Sequence, residues 1–180
     1  QSITPATAAD LTEALHAADM DGQAVAPVGG GTQLDLGNPP NRVDVVLETT
    51  ALNRVVEYEP ADLTVTVEAG MRFSDLQALL GQQGQFLALD PPVRAEATLG
   101  GLIATNASGS RSFCYGVTRR HVLLLRVALM DGTVLQLQRG EPLNFTVPDL
   151  PVPCTTKHTA GYFLHSGMDW LDLFIGAEGT

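Results

Sequence analysis

Two glycine-rich runs carry residue types and spacings from which chemistry can be built. The first is Val25-Ala26-Pro27-Val28-Gly29-Gly30-Gly31-Thr32-Gln33, an apolar stretch that enters three glycines and a hydroxyl residue. Glycine has no Cβ and reaches positive φ at little steric cost. Successive N–H groups of such a turn can converge into a concave nest for an anion such as a phosphate. For an isolated triple glycine the competing reading is a plain surface turn. The second run is Ala97-Thr98-Leu99-Gly100-Gly101-Leu102-Ile103-Ala104-Thr105-Asn106-Ala107-Ser108-Gly109, and it tips the balance, because two such loops suit a dinucleotide with two phosphates. Thr98 is placed to N-cap a short helix over 99–105. Gly100 and Gly101 then fall in its first turn, where free N–H groups and the positive end of the helix dipole favour an anion. The alternative there is a tightly packed helix with glycine at a close crossing. The first run does not match GxGxxG opening a helix or GxxxxGK[ST], and no lysine follows its glycines, so Rossmann and Walker sites are disfavoured.

The elements that must position these loops follow from local pattern. Thr7 with Asp10 three residues on, followed by Leu11, Ala14, Leu15 and Ala18, reads as a capped amphipathic helix over 7–20, ended by Gly22. Strands are expected at 24–28, 43–48, 54–58 and 63–68, the last two joined by the turn Glu59-Pro60-Ala61-Asp62. Ser74 and Gln77 suggest a second capping box, with Leu76, Leu79 and Leu80 as its apolar stripe. Pro91-Pro92 opens an irregular segment. Residues 122–130 read as a long strand, turned by Asp131-Gly132 into a partner at 133–137. Trp170, Leu171, Leu173 and Phe174 read as core or interface. The order implies an α+β fold, with a small parallel-type α/β part, antiparallel strands and flanking helices. A boundary near Pro60 divides it into subdomains of roughly 1–60 and 61–180.

Composition narrows the function classes. The 180 residues are 44% hydrophobic and 17% charged, enough apolar residue for a sizeable core. A formal charge of −10 argues against a basic patch for nucleic acid or an anionic membrane. No apolar run approaches the ~20 residues of a membrane span, and no signal peptide is visible. Cys114 and Cys154 have no metal-ligand spacing, and the four histidines form no HExxH pair, so no metal site is expected. Two reduced thiols fit a cytoplasmic protein.

In four blocks the chain resembles the FAD-binding domain of the p-cresol methylhydroxylase/vanillyl-alcohol oxidase type, the FAD-linked oxidases. The blocks are Pro27 to Thr32; Asp90-Pro91 leading to Ala97–Gly101; Asn106 to Gly109 leading to Tyr115-Gly116; and Gly176-Ala177-Glu178-Gly179-Thr180. The likeness covers nearly the whole chain, and the four blocks in order are far more specific than the first alone. Within the family, Lys157-His158-Thr159-Ala160-Gly161-Tyr162 is similar to a segment of the 2-hydroxy-acid branch, which includes D-lactate dehydrogenases and glycolate oxidase flavin subunits.

The resemblance implies FAD held between two subdomains. The pyrophosphate would lie on Gly29, Gly30, Gly31, Thr32 and Gln33, after Pro27 and Val28, and near Thr98, Gly100 and Gly101. The flavin would lie towards Pro91, Asn106, Gly109, Tyr115 and Gly116, with Glu178 completing the site. Val28 stands where the family often has Arg. Thr32 and Gln33 stand where covalent members commonly place His, which implies non-covalent FAD. Phe163 replaces an Asp common after Gly-Tyr in the hydroxy-acid branch. The chain is expected to be C-terminally incomplete and to lack the substrate cap domain, so the catalytic base and the substrate residues are expected to lie outside it.

The implied activity is FAD-dependent oxidation of a small-molecule 2-hydroxy acid to a 2-oxo acid by hydride transfer to flavin N5. Oxygen, a quinone or a partner protein would accept the electrons. The alternative is a non-catalytic FAD-binding electron-transfer subunit of a larger complex. A sugar-nucleotide reductase with the same fold is a third reading, made weaker by the Lys157–Tyr162 block. His121, Arg111, Arg119 and Cys114 are secondary candidates, for which helix-end, surface-pairing and core roles compete.

Overall fold

The computed structural model describes residues 1–92, 95–151, 154 and 163–179. The chain separates into two compact units that interleave in sequence. The first comprises Gln1–Leu87, Val93–Gly101 and Ala128–Val134; the second comprises Ala88–Pro92, Leu102–Val127 and Leu135–Thr180.

The first unit opens with strand β1 (Ser2–Ile3) and helix α1 (Ala8–Met20). Thr7 is the N-cap of α1. Its hydroxyl accepts from the Asp10 N–H at 3.1 Å, while the Asp10 carboxylate accepts from the Thr7 N–H at 2.9 Å, the reciprocal capping box. Gly22, at φ +62°, turns the chain out of the helix. Strand β2 (Val25–Val28) follows, then β3 (Val45–Glu48). The three strands form a parallel sheet in the order β1-β3-β2. In it β2 is an edge strand, which is why it tolerates Pro27. The central β3 buries Val45 and Leu47. β1 was not visible in the sequence, since two residues carry no period.

β4 (Val55–Glu59) and β5 (Thr64–Val67) pair antiparallel around a turn that contains Pro60. Helix α2 (Phe73–Gly81) buries Phe73, Leu76 and Leu80. Its expected capping box is not formed: Arg72 is the N-cap and no side chain caps it. The Ser74 hydroxyl instead donates to the Ala95 carbonyl at 3.2 Å. Gln77 grips the Leu87 backbone twice, at 2.8 and 3.0 Å. Longer-range acceptors outcompete the local pattern.

Helix α3 (Leu99–Ala104) carries the chain from the first unit into the second. Helix α4 (Ser112–Tyr115) and a 3-10 turn over Thr118–His121 come next, followed by β6 (Leu124–Ala128) and β7 (Val134–Gln138). Asp131-Gly132 makes the expected tight turn, with Gly132 at φ +83°. Helix α5 (Trp170–Phe174) ends the described elements. The core of the second unit is Val122, Leu137, Leu171 and Ile175, with Leu171 fully buried. The parallel sheet, the antiparallel pairs and the flanking helices are those expected of the α+β reading.

Candidate functional site

In the first unit the two glycine runs touch. β2 delivers Gly29 and Gly30 against residues 96–98. A Cβ on Gly29 would stand 2.2 Å from Thr98 Oγ1, and one on Gly30 would stand 1.7 Å from the Glu96 carbonyl oxygen. Neither position admits a side chain. Gly31 serves a different purpose, because its φ of +69° reverses the chain. One glycine therefore turns the loop, and two let it press against its neighbour.

This leaves the N–H groups of Gly29, Gly30, Gly31, Thr32 and Gln33 without an acceptor among the described residues. Backbone donors left over in a turn with a positive-φ glycine are the donor set of an anion nest. They fit a diphosphate. Pro27 is exposed and Val28 half-buried at the end of β2. The Val28 carbonyl accepts from the Thr49 N–H at 2.9 Å, so the mouth of the loop is anchored to the residue that follows β3.

The second run differs from its expectation. Thr98, only 2% exposed, does N-cap α3, accepting from the Gly101 N–H at 3.3 Å. However, the Leu99 N–H donates to Met71 O at 2.9 Å and the Gly100 N–H to Ala69 O at 2.7 Å. The first-turn donors are thus engaged by the protein and are not an anion site. A Cβ on Gly100 would stand 2.9 Å from Ala69, the close crossing that was the competing reading. Thr98, Gly100 and Gly101 form the packed wall behind the first loop.

The second unit gathers most of the remaining candidates. Asn106 ends α3 in the left-handed region, at φ +44°, and is 4% exposed. Its Oδ1 accepts from the Arg119 N–H at 3.0 Å. Gly109 lies against Asp90, where a Cβ would meet the Asp90 carbonyl oxygen at 1.7 Å, and the Ser110 hydroxyl donates to Asp90 Oδ2 at 2.6 Å. Pro91 is buried on the same 88–92 segment. Tyr115, 47% exposed, closes α4, and Gly116 follows at φ +85°. Gly176 and Glu178 donate their N–H groups to Ile103 O at 3.0 Å and Ala104 O at 2.9 Å, bringing the fourth sequence block onto the end of α3.

Two buried polar atoms here, Ser108 Oγ and His121 Nε2, have no partner among the described residues. Such atoms are completed by ordered water or by a polar ligand. Burial holds the His121 pKa below its ordinary value, against the opposing effect of a hydrogen bond with the Tyr115 backbone. His121 is the partly exposed histidine at a helix end that the sequence suggests, the last residue of the 3-10 turn, and its imidazole is half-buried.

Of the expected alternatives for Arg119, an FAD phosphate or an acidic side chain, the structure shows the second: it pairs with Asp172 at 3.1 Å, but the pair is largely buried and not on the surface. The cysteines 114 and 154 are both free and exposed, which overturns the core role for Cys114. The Lys157–Tyr162 block, together with Thr180, lies outside the described residues. Among the described residues no group of His, Cys, Asp and Glu could hold a metal. No described helix is long and apolar enough to cross a membrane.

Comparison with known proteins agrees with this geometry. Residues 1–138 match the family described as FAD binding domain. The chain belongs to that family, and FAD is its cofactor. It is 28% identical over 181 residues to the D-lactate dehydrogenase [cytochrome] 1, mitochondrial, of Saccharomyces cerevisiae, covering 99% of this chain and 27% of the relative. It is 31% identical over 176 residues to the D-2-hydroxyglutarate dehydrogenase of Xanthomonas citri pv. viticola, covering 98% and 33%. It is 30% identical over 178 residues to the glycolate oxidase subunit GlcD of Bacillus subtilis, covering 99% and 34%. A solved structure of alkyldihydroxyacetonephosphate synthase shares the fold at a TM-score of 0.75, with 21% identity over 99% of this chain and 29% of the other. The chain thus spans about a third or less of the length of these relatives.

Proposed function

We propose that the protein carrying this domain is an FAD-dependent oxidoreductase that converts a 2-hydroxy acid of the D-lactate or glycolate class to the corresponding 2-oxo acid. FAD, when bound, supplies an acceptor for the hydride of the substrate's hydroxyl-bearing carbon. The residues of this chain bind and orient it. The N–H groups of Gly29, Gly30, Gly31, Thr32 and Gln33 hold the diphosphate after Pro27 and Val28, and Thr98, Gly100 and Gly101 back that loop. Pro91, Asn106, Gly109, Tyr115, Gly116 and Glu178 line the flavin side. Attachment is non-covalent, since Thr32 and Gln33 offer no imidazole to the flavin.

The observation that carries the reading is the run of five backbone donors without an acceptor among the described residues, on a loop whose Gly29 and Gly30 are packed against residues 96–98. The substrate class is supported by the three relatives, each named for a 2-hydroxy acid. A protein or a quinone takes the electrons; the yeast relative's name includes a cytochrome. The two free cysteines favour a reducing, cytoplasmic compartment, although several relatives are named as mitochondrial.

The test is anaerobic mixing of the full-length protein with D-lactate, glycolate or D-2-hydroxyglutarate. Bleaching of the visible flavin band by at least one is expected. A yellow protein that none of them bleaches overturns the substrate class.

A further inference from the structure

We propose that Arg119 is a positioning residue of the FAD site, holding Asn106 and the Ile175–Glu178 turn in place without touching the cofactor. The inference rests on the reading that Asn106 and Glu178 line the flavin side, and adds a residue that no sequence block pointed to.

Arg119 is bonded from every side. Its backbone N–H donates to Asn106 Oδ1 at 3.0 Å. Its Nη1 donates to Asp172 Oδ1 at 3.1 Å and to the Asp172 carbonyl, and its Nη2 donates to the Ile175 carbonyl. Its guanidinium lies 4.6 Å from the centre of the Phe163 ring, a cation–π distance. Arg139 locks the arrangement from outside. Its Nη2 donates to the Arg119 carbonyl at 2.8 Å, and its Nη1 bridges Asp169 at 3.1 Å and Asp172 at 2.8 Å.

The side chains of Arg119 and Asp172 are only 12% and 10% exposed. Such a pair is costly to desolvate and is a poor device for stability alone. What it does here is geometric. Asn106 at φ +44°, Gly176 at φ +85° and Glu178 at φ +54° are three left-handed residues, two of them not glycine. Residues of that kind persist only where the surroundings over-determine them. Asn106 and Gly176 are also in close approach, since a Cβ on Gly176 would stand 3.3 Å from Asn106 Cβ and 3.6 Å from Arg119 Nη2. Arg119 therefore ties the two together: its backbone N–H holds Asn106 at the end of α3, and its planar fork holds Asp172 of α5 and the Ile175 carbonyl at the turn after it. A lysine carries its three donors on one nitrogen and lacks the planar fork whose two nitrogens reach Asp172 and Ile175 separately.

The experiment uses the full-length holoprotein with four variants. They are Arg119→Lys, the charge-balanced pair Arg119→Gln with Asp172→Asn, Asn106→Ala, and the core truncation Leu137→Ala as a control for general destabilisation. FAD affinity and the visible circular dichroism of the bound flavin are read together. Arg119→Lys and the balanced pair are expected to weaken FAD at least about tenfold and to alter the dichroism, while Leu137→Ala lowers the thermal midpoint yet stays within about threefold with an unaltered spectrum. The proposal is overturned if both Arg119 variants bind within about threefold with the parental dichroism, or if Leu137→Ala weakens FAD as much as they do. Asn106→Ala separates the layers. If it binds FAD like the parent, the reading of the flavin side fails; if it loses FAD while the Arg119 variants keep it, only the role of Arg119 fails.

Discussion

Gly30 and Glu96 are in backbone contact: a Cβ at position 30 would lie 1.7 Å from the Glu96 carbonyl oxygen. The loop that offers unpaired N–H groups is thus held by the segment leading into α3. Backbone cannot yield as a flexible side chain can. Gly30→Ala is therefore expected to displace the loop and to lower FAD affinity by more than about tenfold, equivalent to about 1.4 kcal/mol. Fluorescence titration of the apoprotein with FAD measures it.

Gly81→Ala is the matching control. Nothing lies within 4 Å of a Cβ there, and the residue ends α2 without a positive φ. The change is expected to stabilise by about 0.4–1 kcal/mol through the unfolded chain. A rise in thermal midpoint with unchanged FAD affinity is the expected result.

Thr7→Ala removes one half of the α1 capping box, at a cost of about 1 kcal/mol. Amide exchange along α1 is expected to quicken about fivefold.

The burial that lowers the His121 pKa makes stability depend on pH in a defined direction. Below the ordinary histidine value of 6.5 the unfolded chain takes up a proton that the folded site resists. His121's contribution is thus fully present above pH 6.5 and is lost as pH falls below it. His121→Gln is expected to flatten the pH dependence of the thermal midpoint just below that point. A dependence as steep as the parent's would show that another group is responsible.

How legible this was from sequence depended on how local each cause is. Thr7 and Asp10 form their box because both partners sit within one helical turn. Ser74 and Gln77 have a box-like spacing, but Ala95 and Leu87 claim their side chains, and nothing near Ser74 announces those acceptors. The same holds for α3. Thr98 was legible as a cap, whereas the capture of the Leu99 and Gly100 N–H groups by Met71 and Ala69 is a tertiary event. In sequence the triple glycine reads as one conformational device, and in the structure it is two: close approach at 29 and 30, reversal at 31. Arg119 is legible as a candidate for pairing, but its partners, Asp172 and Ile175, are not, because they lie more than fifty residues downstream.

The most direct measurement is the visible spectrum of the purified full-length protein, repeated on the supernatant and pellet after acid precipitation, for the parent and for Gly30→Ala. The account predicts a flavin spectrum in the parent that moves wholly to the supernatant, and a Gly30→Ala protein that is depleted of flavin. Colour retained in the pellet contradicts non-covalent attachment. A Gly30→Ala protein as yellow as its parent contradicts the assignment of the cofactor to the Gly29–Gln33 loop.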